Sequence, residues 1–123
     1  MADSPYPKLT RQLADTRRKL APEAEAAFRE FGEAVFREGA LSRKTKQLIA
    51  VAVAHVTQCP YCIQGHVKSA SRIGATPEEV MEAIWVAAEM RAGGAFAHSA
   101  IALEALNLPD EEDAETPRER AIA

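Results

Sequence analysis

The chain has 123 residues, one ordinary domain, with 15 Lys and Arg against 18 Asp and Glu and a formal net charge of −3. Two Cys cannot frame a disulfide-rich secreted domain, and seven Pro with six Gly exclude a collagen-like or low-complexity chain. The first 46 residues hold ten basic and seven acidic side chains and the rest hold five and eleven, a mild gradient without the basic stripe that nucleic-acid binding needs.

Apolar residues make up 47% of the chain, but 25 of them are alanine and only 31 are the larger Val, Ile, Leu, Met, Phe, Trp and Tyr. Alanine is the best helix former because it loses no side-chain entropy on ordering. The composition therefore predicts an all-α domain of closely approaching helices, with so little bulk that neighbouring subunits are expected to complete its core. The longest apolar run, Leu48 to Ala54, is far short of the roughly 18 to 20 residues that span a bilayer. Met1 to Tyr6 shows no basic segment followed by an apolar stretch, so no secretory signal, no membrane association and a cytoplasmic location are expected.

In chain order, Leu9, Leu13 and Leu20 stand at helical spacing in an N-terminal arm (residues 1–20), whose helix is expected from Lys8 to Leu20. Pro22, followed by Glu23 and Glu25, opens a second helix with an apolar face of Ala27, Phe28, Phe31, Val35 and Phe36, ending at Gly39. Ser42 is the expected N-cap of the third. The stretch Ile49 to Val56 alternates large and small like a strand, but a lone strand cannot satisfy its backbone groups, so it reads as buried helix. Cys59 then caps a helix that begins at Pro60 and stops at Gly74. Thr76-Pro77-Glu78-Glu79 is a capping box. The helix it starts has Val80, Ile84, Ala87 and Ala88 inside with Trp85 beside them, and is expected to end at Gly93-Gly94. A sixth helix runs from Ala95 to about Leu106. The main domain is thus 21–107, and 108–123 reads as an acidic, solvated tail.

One constellation carries chemistry: Cys59-Pro60-Tyr61-Cys62, then His66. Free amides and the positive end of the dipole at a helix start favour thiolate, which attacks peroxides and disulfides. His66 is four residues beyond Cys62 on the same helix face, where it could take or deliver a proton. Tyr61, between the cysteines, could donate a hydrogen bond at the same mouth. Other readings stand beside this one. A glutaredoxin carries the same tetrapeptide, but after an early strand that this chain lacks. Zinc could be held by Cys59, Cys62 and His66 with His55 or His98. Two inert core cysteines are the bland alternative. Covalent haem attachment fails, because Ile63 stands where the histidine must be. His55 and His98 read first as packing residues, with His55 a supporting candidate, and Trp85 and Met90 as core or subunit-interface residues.

Leu41-Ser42, Lys44-Thr45-Lys46-Gln47-Leu48-Ile49, the run through His55, the cysteine motif, His66, Gly74-Ala75, Pro77-Glu78-Glu79, Ala83 and Gly93-Gly94 together resemble the carboxymuconolactone decarboxylase-like family, and within it the alkylhydroperoxidase D branch. The resemblance covers roughly residues 25 to 107. It implies an all-α fold of about six helices, with the cysteine pair at the start of a central helix. It also implies a homo-oligomer, trimer or hexamer, with the hexamer (a trimer of dimers) favoured. The implied activity is thiol-dependent reduction of hydroperoxides. The face shared with His66 favours Cys62 as the attacking thiol, with Cys59 resolving and His66 moving the proton, whereas the helix start favours Cys59 as the more acidic thiol. An external dithiol, a lipoyl or thioredoxin-like partner, would recycle the disulfide, so no cofactor and no metal are expected. A glutamate usually stands twelve residues before the first cysteine, and here Gln47 replaces it. Glutamine cannot take or release a proton at neutral pH. Either His66 works with water, His55 or His98, or turnover is weak. The alternatives are a redox-sensing or structural oligomer without turnover, and a lyase of the carboxymuconolactone decarboxylase type.

Overall fold

The computed structural model describes residues 4–111. Their regular structure is six helices: α1 (Arg11–Leu20), α2 (Pro22–Phe36), α3 (Arg43–Thr57), α4 (Pro60–Arg72), α5 (Pro77–Ala97) and α6 (Ser99–Leu106). The expected all-α class holds, and the strand-like alternation at 49–56 lies inside α3. α3 is the centre of the fold, packed on both α4 and α5, while α1 packs chiefly on α2. Small side chains make this close packing feasible. Among the described residues the buried apolar side chains are Val51 and Ala54 of α3, Ala70 of α4, Ala75 in the following turn and Ala87 of α5, and only Val51 is both large and fully buried.

Helix starts follow local chemistry. The side chains of Ser42, Cys59 and Thr76 each accept the amide three residues on, and Glu79 completes the capping box by accepting the Thr76 amide at 2.9 Å. Pro22, Pro60 and Pro77 fill first turns, where no amide partner is needed. Gly74 turns the chain after α4 at φ 96°, a conformation glycine adopts without strain.

Three boundaries differ from expectation. α1 starts at Arg11 rather than Lys8, because Thr10 is its cap and accepts from the Leu13 amide at 3.1 Å. α2 ends at Phe36 rather than Gly39, because Lys46 takes up the carbonyls of Val35 and Arg37 and lets the chain leave extended at Arg37. α5 runs through Gly93-Gly94 to Ala97, and the interruption before α6 falls at His98. Two glycines weaken a helix without breaking it when its hydrogen bonds continue on both sides. The inner face of α5 also differs. Ala87 is buried and Val80 and Ile84 are half-buried, but Ala88 is exposed, and Trp85 and Met90, 68% and 64% exposed, do not belong to this chain's core.

Among the described residues no helix is long and apolar enough to cross a membrane. The arm is tied to the body where Tyr61 donates its hydroxyl to the Pro7 carbonyl at 2.7 Å and meets the Tyr6 ring edge-on. Of the expected acidic tail, Leu108 to Glu111 are exposed, and the remainder, 112–123, lies outside the described residues.

Candidate active site

The cysteines owe their position to the exit from α3. Gln58 adopts a left-handed conformation (φ 58°), and the Ala54 carbonyl accepts both its amide and that of Cys59. The reversal leaves Cys59 extended at the N-cap of α4, with Cys62 at the end of the first turn. Both thiols are free and half-buried. Cys59 Sγ accepts the Cys62 amide at 3.2 Å. The Cys62 side chain and this amide together hold the Cys59 thiol below its ordinary value. Hydrogen bonding to Cys59 pushes the Cys62 thiol up, and burial adds to the rise. Of the two thiols, Cys59 is therefore the more acidic.

His66 lies one turn beyond Cys62. Its Nδ1–H donates to Gln47 Oε1 at 2.8 Å, across the contact between α3 and α4. Because Gln47 Oε1 only accepts, the neutral ring carries its lone pair on Nε2. The Phe36 ring stacks on the imidazole, with centroids 5.2 Å and planes 25° apart.

The structure thus joins Cys59 to Cys62, and Gln47 to His66. No hydrogen bond links either thiol to His66 among the described residues. Tyr61 turns away from the thiols to the arm. It helps line a cleft of about 510 Å³ with Tyr6, Pro7, Gln64 and Lys68, on a different face of α4 from Cys62 and His66. His55 Nδ1 lies 2.7 Å from the Val51 carbonyl of its own helix, and His98 Nδ1 lies likewise from the Gly94 carbonyl. Among the described residues no three His, Cys, Asp or Glu side chains gather as a metal site. Phe36 was legible only as part of an apolar face, and Lys46 only as one residue of the stretch Lys44 to Ile49. Their place beside His66 depends on how the loop after α2 folds back, for which the sequence has no local signal.

The carboxymuconolactone decarboxylase family model matches residues 22–105. A Paracoccus denitrificans protein, uncharacterized and named only as protein 4 in the cox locus, is 59% identical over 87% of this chain and 96% of its own length. A carboxymuconolactone decarboxylase family protein from Legionella pneumophila has a crystal structure that covers 78% of this chain and 85% of its own, at 41% identity and a TM-score of 0.61. A Thermotoga maritima structure, named as a family protein "possibly involved in antioxidative response", matches at 27% identity and a TM-score of 0.51, covering 67% of this chain and 94% of its own. With the family model spanning most of the chain and the helices arranged as in these structures, the protein belongs to the carboxymuconolactone decarboxylase family.

Proposed function

We propose that the protein is a thiol-dependent hydroperoxide reductase of the alkylhydroperoxidase D kind. The observation that carries this is the pair of free thiols at the start of α4, joined by the Cys62 amide on Cys59 Sγ, one turn from a histidine whose Nδ1 is held by Gln47. The antioxidative association of the Thermotoga relative supports the same reading.

In the reaction, Cys62 gives its proton to His66 Nε2, and its sulfur attacks the terminal oxygen of the hydroperoxide. The O–O bond breaks, the alkoxide takes the proton from His66 and leaves as alcohol, and Cys62 is left as a sulfenic acid. Cys59 then attacks that sulfur as thiolate, its own proton having passed to solvent, and expels hydroxide, which takes a proton from solvent and leaves as water. Two thiols have been oxidised by two electrons to a disulfide and one peroxide reduced. An external dithiol, lipoyl or thioredoxin-like, returns the two electrons and two protons.

A stoichiometric titration of thiols before and after limited cumene hydroperoxide tests the reading. Loss of two thiols per chain, restored by a dithiol, is expected, and thiols that stay titratable overturn it. Trapping the sulfenic acid with dimedone sets the order of attack: C59S should be labelled at Cys62, and C62S should stay unlabelled. The reverse pattern would make Cys59 the attacker, the order its lowered thiol favours.

Gln47 favours a second reading, an oligomer of the same fold that senses oxidants without turning over. Q47E discriminates. A carboxylate facing Nδ1–H stabilises the imidazolium as it forms, so thiol oxidation should accelerate by about tenfold if His66 is the proton carrier. An unchanged rate removes the relay from the mechanism.

A further inference from the structure

His66 is held from two sides by residues with no motif in common. Gln47 takes its Nδ1–H, and the Phe36 ring covers one face of the imidazole. Phe36 is the last residue of α2, where a helix end ordinarily frays because its final carbonyls lack partners. Here Lys46 Nζ donates to the carbonyls of Val35 at 2.8 Å and Arg37 at 2.6 Å, the residues on either side of Phe36. Lys46 and Gln47 are consecutive on α3, so one turn of one helix both anchors the stacked ring and fixes the imidazole tautomer.

We propose that Phe36, pinned by Lys46, is a positioning residue for His66, clamping the imidazole against Gln47 so that Nε2 is presented as the proton-carrying nitrogen. The kinetic consequence rests on the hydroperoxide reductase reading, whereas the clamp itself does not. Stacking restrains rotation of the imidazole, which a single hydrogen bond at Nδ1 leaves free to rock. An aromatic face also attracts a cation, so the contact is kept when His66 takes a proton. A carboxylate in place of the Gln47 amide would stabilise the imidazolium by its charge. Gln47 brings no charge, only an accepting oxygen, and the Phe36 face adds a second contact that favours the cation.

The test uses the reduced full chain labelled with ¹⁵N at histidine, as wild type, F36L, F36Y and K46M. Ring nitrogen shifts report the His66 tautomer, and the ring current of Phe36 displaces the carbon-bound protons of His66 upfield. The wild type should show the Nδ1–H tautomer and displaced protons. F36L and K46M should lose the displacement, mix the two tautomers, and slow oxidation of the thiols by cumene hydroperoxide by about tenfold. F36Y restores an aromatic face and should recover both spectrum and rate. An unchanged His66 tautomer in F36L overturns the clamp, and a mixed tautomer with an unchanged rate overturns its role in proton transfer. If F36L does not fold, K46M decides both points by the same readouts. Should the wild-type thiols ignore the hydroperoxide, the reductase reading falls, while the His66 spectra still decide the clamp.

Discussion

Two interactions between residues of one turn, the Cys62 side chain and then its amide on Cys59 Sγ, set the electrostatics of the site. Cys59 Sγ is the N-cap acceptor for the Cys62 amide, and the Cys62 side chain adds a second interaction with the same sulfur. Folding therefore favours the Cys59 thiolate. The stability this confers is complete above the ordinary thiol value and is lost as pH falls through the lowered one. For Cys62 the sign is opposite. Its thiol is raised, so the contribution is present below the ordinary value and lost as pH rises through the raised one. C62A removes the side-chain donor but keeps the amide, so the midpoint for alkylation of Cys59 by iodoacetamide should move up toward that of a free thiol. C59A should move the Cys62 midpoint down. Alkylation rates followed by mass spectrometry across the neutral to alkaline range check both, and midpoints that do not move would show the two sulfurs to be independent.

Helix starts were far more legible in the sequence than helix ends. Ser42, Cys59 and Thr76 act within four residues of themselves, so a local reading finds them. The end of α2 is set by Lys46, eleven residues after Val35, and α5 ignores its glycine pair because helical hydrogen bonding resumes beyond it. The site divides in the same way. Cys59, Cys62 and His66 share one helix and could be read from spacing, and family resemblance singled out Gln47. Tyr61 was expected beside the thiols but lies about 100° around the helix from Cys62, which turns it toward the arm. Phe36 reaches His66 only through the loop that joins α2 to α3. The capping box offers a test at this scale. Glu79 accepts the Thr76 amide and pairs with Lys44 at 2.9 Å, and first the Thr76 amide and then Lys44 hold its carboxyl below the usual range. Its contribution is present above the ordinary carboxylate value and is lost as pH falls through the lowered one. E79Q keeps a capping side chain but not the charge, so it should melt below the wild type at neutral pH. That gap should close as the pH is lowered, because the wild type then loses the same charge. Thermal unfolding by circular dichroism reads it, and a gap independent of pH would assign the effect to hydrogen bonding alone.

For the molecule as a whole, the small core poses the problem that assembly would solve. Among the described residues, large apolar side chains stand in the open: Phe28 and Phe31 on α2, Trp85 and Phe96 on α5 and Ile101 on α6 are all exposed, Phe96 by 81%. A single chain that buries one large side chain fully has little hydrophobic free energy with which to offset the entropy of ordering its helices. Folding and assembly should therefore be one transition, with a melting temperature that rises with protein concentration. Trp85 is the only tryptophan and supplies the probe. In the assembled protein its emission should be that of a buried indole, and it should shift to the red on dilution together with the loss of helical signal. Light scattering should give the mass of a trimer or hexamer. F96E places a charge on the most exposed of these aromatics and should lower both the mass and the melting temperature. A monomer at micromolar concentration, melting at the same temperature at every dilution, would mean that this apolar surface is stable in water and serves another partner.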